Sequence, residues 1–440
     1  MIKRIPSPSF LLAAGLLFFI NLLLTNDFTT VWNDTEALYL LEVQTGKWLG
    51  HWPGWIHGLI EQLLGFQIFA LRLPGLLLWV LSLGLAYFVG RKVFGGLALQ
   101  RWALLLFCSL LIVNIAKVAT LDIWLLSAQL LNFIFLIRGL KQPHWTWQTG
   151  YWSTLLLGLL VAPLAMLLWT FLLTIGLYYW HPRKLDQTWV YGCLPIVLLA
   201  GIGWGMDFLN WDGRGLILGQ GFHGYGLYLL AVVLGLVPIL GFLPAAIWDT
   251  VQKFRKGEEL AIILTVSGIA ALLSQSLMLE MILLLAIARQ IAAFNLPNYP
   301  YKGSAQVFSF IVLIAVFCVA CVMMLSGFQQ LGAAGFRSAM SIAAIYWVLG
   351  LIGVIGLFIK SDRVIWIGFV WSGLLLTALF WIQINPFVEE ARNLPRQISQ
   401  YGQSLPDAPN TWLLVDTTKG AVRANLQLYA FQLLIHGKDF

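Results

Sequence analysis

Two carboxylates stand in Trp32-Asn33-Asp34-Thr35-Glu36-Ala37, directly after the first apolar run of the chain. Charged residues make up 10% of the sequence and hydrophobic ones 60%, so acids gathered at the edge of an apolar run need a reason. A carboxylate held at a membrane surface can take up a proton, bind a cation or orient a hydroxyl. Asp34 and Glu36 are therefore the first candidates for acid–base chemistry. Asp122 opens a later apolar segment, with Lys117 five residues before it. An acid at mid-bilayer costs about 2.5–3.5 kcal/mol on insertion scales, so Asp122 must lie shallow, be protonated or be paired.

Each candidate has a plainer alternative. Asp34 could cap an interfacial helix starting near Thr35, and Asp122 could cap the helix it opens. Asn33-Asp34-Thr35 also matches a glycosylation acceptor, a pattern short enough to recur by chance. Lys117 is either a snorkelling anchor or a phosphate contact. Arg72 either anchors the base of a span or meets a phosphate, and His51 and His57 flank an interfacial Trp cluster where either could touch substrate. Asp207, Asp212, Arg214 and His223 form a second polar cluster, read as a solvated loop with Gly219, Gly221, Gly224 and Gly226. No metal cluster with credible spacing is present in the sequence. Cys318 and Cys321 lie one helical turn apart without a nearby His or acid, which reads as packing.

The elements that must position these groups are membrane helices. A mean hydropathy of +0.84 over 440 residues with 21 Trp rules out an ordinary soluble protein. Apolar runs long enough to cross about 30 Å of hydrocarbon recur, near 8–25, 68–90, 102–116, 121–138, 151–162, 164–180, 188–206, 225–247, 260–277, 279–294, 305–328, 339–359 and 364–384. The fifth and sixth are short halves meeting at Pro163. The first is read as a retained anchor, since no small-x-small cleavage site closes it. Alternating strands of a β-barrel are missing from the pattern.

The charge of +7 fits the positive-inside rule better than a nucleic-acid partner. With the N-terminus inside, 16 Lys and Arg fall in cytoplasmic turns and 5 on the other side, the five of the tail set aside. About thirteen crossings with the tail outside follow. Residues 26–67 form a long first outer loop, in which Trp48, Trp52 and Trp55 with Leu49, Ile56 and Leu59 predict short interfacial helices split at Pro53-Gly54. The tail 385–440 reads as a small α/β unit, with helices over 389–401 and 421–435 and a strand at 411–415. Residues 1–384 are the membrane domain. Gly350, Gly353 and Gly356 predict close helix packing.

Four local patterns carry a resemblance over residues 30–140: Asp34-Thr35-Glu36-Ala37-Leu38-Tyr39, Ala70-Leu71-Arg72-Leu73-Pro74-Gly75, Gly90-Arg91-Lys92-Val93-Phe94-Gly95 and Ala119-Thr120-Leu121-Asp122. In order and spacing they are similar to the integral-membrane glycosyltransferases of the GT-C class, in the branch of protein O-mannosyltransferases and lipid A aminoarabinose transferases. The resemblance implies an all-α polytopic fold in the inner membrane and transfer of a sugar from a polyprenyl-phosphate carrier to an outer-face acceptor. It implies Asp34 as general base with Glu36 orienting it and Asp122 lining the cavity; Arg72, Lys117, His51 and His57 are the residues that could then contact substrate or carrier. No cofactor is firmly implied beyond the lipid-linked donor.

The chain also departs from the pattern. Thr35 separates acids that are adjacent in the family, and His51-Trp52-Pro53-Gly54 keeps one of two prolines. Val161-Ala162-Pro163 stands where the family carries Thr-Lys-Gly, and Leu277 to Ile282, including Glu280, where it carries Lys and Tyr near the phosphate. These departures keep a second reading open, a catalytically inactive GT-C scaffold serving as a subunit of a larger membrane complex. A transporter is a weaker third, resting on Pro163 alone.

Overall fold

The computed structural model describes residues 52–64, 68–180, 221–237, 239–294 and 296–379, with a few isolated residues besides. Asp34, Glu36, His51, the span expected at 188–206, the cluster of Asp207, Asp212 and Arg214, and the predicted α/β tail lie outside them. The described residues are helical, without a strand among them. In chain order the helices are α1 (Trp52–Leu64), α2 (Ile68–Phe94), α3 (Gly96–Cys108), α4 (Leu110–Ala116), α5 (Leu121–Lys141), α6 (Trp145–Leu159) and α7 (Pro163–Trp180). They continue with α8 (Gly221–Gly235), a 3-10 turn at Ile239–Phe242, α9 (Leu243–Arg255), α10 (Glu259–Leu273), α11 (Met278–Ala293), α12 (Lys302–Ile359) and α13 (Asp362–Leu379).

Helix α5 is the axis of the bundle. A helix apolar on every side is stable only when covered on every side. Of the most apolar stretch of α5, 89% is buried, against 44% for α2. Helices α2 and α6 cover most of it. On α2 the sequence splits into two faces: Leu76, Trp79 and Ala86 turn inward, while Leu77, Leu81, Leu85 and Phe88 form an exposed stripe at helical spacing. An exposed leucine stripe on a long apolar helix is a lipid face.

Five described helices or helix segments are long and apolar enough to cross a membrane, or up to seven if each bent pair counts as one. The structure corrects several expected spans. The run 102–116 breaks at Ser109, where α3 and α4 meet at 68°. The run 225–247 is bent rather than straight, since the chain turns by 99° between α8 and α9. Gly221, Gly224 and Gly226 belong to α8 rather than to a flexible loop. Pro53 and Gly54 sit in the first turn of α1, where a proline breaks no helical hydrogen bond, so they do not divide it. Pro163 opens α7 for the same reason, as the sequence predicts.

The two expected spans 305–328 and 339–359 fall in one helical run, α12. Straight, 58 residues would extend about 87 Å. Yet the Gln306 side-chain amide donates to the Leu357 carbonyl, and a Cβ on Gly350 would lie 2.8 Å from Leu313. The first and last parts of α12 therefore lie side by side. The glycines behave as predicted: a Cβ on Gly353 would meet Phe369 at 2.7 Å and one on Gly356 the Ile365 amide nitrogen at 2.6 Å. Gly368 of α13 rests directly on the Gly353 backbone. Gly368→Leu should therefore lower the thermal unfolding temperature in detergent, by the equivalent of about 1–3 kcal/mol of overpacking. An unchanged transition would show that the α12–α13 crossing tolerates separation.

One end of the bundle collects the cations. Lys141 bonds the Val93 carbonyl, bringing Arg91, Lys92 and Arg138 together. Arg101 of α3 lies 3.8 Å from Asp362, which adds Lys360 and Arg363. Arg289 pairs with Glu258 at 2.9 Å, and Tyr301 reaches Gln252, adding Lys253, Arg255, Lys256 and Lys302. These are residues the charge count assigns to a single membrane face. Arg72, Lys117 and Asp122 stand at the opposite end of their helices.

Candidate active site

The site is built where α2 and α5 begin. Gly75, one turn into α2, lets the helices close up: a Cβ there would lie 2.9 Å from Ile123 and 3.5 Å from the Trp124 indole nitrogen. That contact fixes Arg72, three residues before it, against the start of α5. Arg72 is only 2% exposed, so it is no lipid-water anchor.

Lys117 closes α4, its amide bonding back to the Asn114 carbonyl at 3.2 Å. It is 1% exposed, which rules out the snorkelling anchor weighed from the sequence. Burial, and secondarily the Arg72 guanidinium beside it, push the Lys117 amine down to about 6. Arg72 and Lys117 thus set two cationic side chains beside one another within protein, residue types that can contact a phosphate.

Asp122 is the second residue of α5, and Thr120 is the N-cap, so the acid is not the cap the sequence allowed. The Thr120 side chain hydrogen-bonds the Asp122 carboxyl. An acid in the first turn of a helix is favoured by the helix dipole. Asp122 is surrounded by protein yet keeps part of its surface accessible, the condition of a group that lines a recess. It rides on the most enclosed of the described membrane-length helices, which holds its position firmly.

Helix α1 lies over this end. At 13 residues it is too short to span. Trp52 meets Trp124 edge-on with centroids 4.7 Å apart and donates to the Leu157 carbonyl. His57 packs edge-on against the same Trp124 at 5.6 Å. Burial pushes His57 down to about 4, so it is neutral at pH 7 and serves first as a packed ring. Trp55, Leu59, Leu63 and Leu64 point outward, as an interfacial helix requires.

The structure thus brings Lys117 beside Arg72, Thr120 onto Asp122, and His57 onto Trp124. Residues missed from the sequence complete the wall: Thr120, bonded to Asp122, and Trp124, which joins α1 to α5. Thr120 lies inside one of the four patterns and could have been found there; a tryptophan among apolar residues gives no signal. No group of three or more His, Cys, Asp or Glu able to hold a metal ion occurs among the described residues. Cys318 is free and exposed, outside the packed interior expected for it.

Helix order and packing define a polytopic membrane protein with a GT-C-type fold. Residues 52–204 match the model of the dolichyl-phosphate-mannose-protein mannosyltransferase family. The crystal structure of ArnT from Cupriavidus metallidurans bound to undecaprenyl phosphate is similar to the chain with a TM-score of 0.63 at 15% identity, over 96% of this chain and 85% of that one. ArnT of the same organism in the apo state gives a TM-score of 0.62 at 15% identity, over 95% and 84%. No curated protein matches the chain.

Proposed function

We propose that the chain is a membrane glycosyltransferase that moves a sugar from a polyprenyl-phosphate carrier to an acceptor at the outer face of the inner membrane, with its N-terminus inside and its tail outside. The observation that carries this reading is the buried cation pair Arg72 and Lys117 near the start of α5, which bears Asp122. It is supported by the fold shared with ArnT, which binds undecaprenyl phosphate. The acceptor hydroxyl attacks the anomeric carbon as Asp34, oriented by Glu36, takes its proton. The new carbon–oxygen bond forms on the face opposite the breaking bond to the phosphate oxygen, so the sugar inverts. The electron pair leaves on the phosphate, where Arg72 and Lys117 stabilise it. Asp122 lines the sugar's cavity, and His51 and His57 border it.

The test compares binding of undecaprenyl phosphate and undecaprenol to the purified protein. Tighter binding of the phosphate, weakened by salt and by Lys117→Met, is the expected result. Equal affinity for both lipids would overturn the proposal. One observation favours the second reading, an inactive scaffold within a membrane complex. Where the resemblance implies Thr-Lys-Gly, Val161, Ala162 and Pro163 are apolar and buried at the α6–α7 junction. A scaffold would lack the phosphate preference and co-purify with other subunits.

A further inference from the structure

Glu280 is fully buried in the first turn of α11, far along the chain from the proposed site. Its Oε1 accepts a 2.5 Å hydrogen bond from the Ser109 hydroxyl. Ser109 is the residue at which α3 breaks and α4 starts, and its Oγ in turn accepts the Ile112 amide at 3.2 Å, capping α4. Helix α4 has only seven residues, too few to hold a helical conformation without outside support. Its other end is Lys117.

The elbow is held from a second side. Gly235, the last residue of α8, lies against Glu280 Oε1; a Cβ there would stand 2.7 Å from the Glu280 carboxyl carbon and 2.8 Å from the Leu111 Cβ. Glu280, Ser109, Leu111 and Gly235 thus form one clamp at the root of α4. The clamp costs something, because Glu280 Oε2 has no hydrogen-bond partner among the described residues. A buried carboxyl with one oxygen unsatisfied is a poor choice for stability alone. It is a sensible choice for aiming a short helix.

We infer that Glu280 is a positioning residue for the carrier-phosphate site: through the Ser109 cap it fixes the angle of the α3–α4 elbow and so delivers Lys117 to Arg72. The inference rests on the reading of Arg72 and Lys117 as that site. It explains why an acid stands where the family resemblance implies phosphate contacts: Glu280 touches the root of the phosphate-binding helix and not the phosphate.

The experiment measures affinity for undecaprenyl phosphate and for undecaprenol, with the thermal transition, in Glu280→Ala, Ser109→Ala and Glu280→Gln. Glu280→Ala and Ser109→Ala should each weaken undecaprenyl phosphate binding about tenfold while leaving undecaprenol affinity within about twofold. Glu280→Gln retains an acceptor for Ser109 and should restore the preference. A purely structural role would lower the thermal transition and weaken both lipids alike, and that result would overturn the inference. Unaltered discrimination in Glu280→Ala would overturn it too, and so would Glu280→Gln losing as much as Glu280→Ala. Lys117→Met separates the two claims. If it abolishes the phosphate preference while Glu280→Ala does not, only the positioning role fails; if it has no effect, the site itself is misassigned and the positioning role falls with it.

Discussion

Asp34→Asn and Glu36→Gln should each abolish sugar transfer in membranes, with rate losses of about 10²–10⁴, the range that general-base catalysis contributes. Both changes keep side-chain size and remove only the ability to accept a proton, so expression and the thermal transition should stay as in the parent. The measurement is transfer of labelled sugar from the polyprenyl carrier in isolated membranes, at matched protein levels. The two variants differ in meaning. If Asp34 is the base and Glu36 orients it, the Glu36 variant should retain the larger residual rate. Undiminished transfer in both would refute the mechanism. Thr35 sharpens the comparison, since Thr35→Ala should leave a measurable rate if the hydroxyl between the acids has no acid–base part.

The second large effect concerns Lys117 and has a direction set by pH. Burial, and secondarily the neighbouring Arg72, push its amine down to about 6, well below a free lysine. A bound phosphate favours the ammonium form and raises that value, so binding takes up a proton wherever the pH exceeds about 6. By linkage, affinity is highest at and below pH 6 and declines as pH rises, by up to tenfold per unit until the bound-state value is passed. Lys117→Met should weaken binding at pH 6 by about 100-fold and flatten this decline. The variant also supplies the baseline, because a phosphate monoester has its own second ionisation near pKa 6 that is common to both proteins. A parent protein whose affinity tracks the variant's at every pH would remove Lys117 from the site. His57 does not confuse the profile, since burial keeps it neutral above about pH 4.

Helices announced by uninterrupted apolar runs were legible from the residues. The beginnings of α2 and α5 fall within three residues of the predicted span edges, and Pro163 marks the start of α7 as its missing N–H requires. The breaks were not legible. Ser109 interrupts a run that contains neither Gly nor Pro, and its partner Glu280 is 171 residues away, so the elbow is a tertiary event with no local signature. The turn between α8 and α9 is similar: Pro238 and Gly241 lie in a stretch apolar enough to pass for one straight crossing. At the site, two of the four patterns contain Arg72 and Asp122, which lie near the beginnings of α2 and α5. They could not say that Lys117 is buried rather than snorkelling, because its flanks, Ala116 and Val118, are those of a lipid anchor.

The enclosure of α5 has a consequence for how the protein meets bilayers of different thickness. Leucines and a phenylalanine of α2 face the acyl chains, whereas the helix carrying Asp122 is sheathed by its neighbours. When the hydrocarbon layer thins or swells, rim helices absorb the mismatch by tilting, and the sheathed axis is spared. The spacing between Asp122 and the cations should therefore persist across acyl-chain lengths, leaving the chemistry indifferent to the host lipid's dimensions.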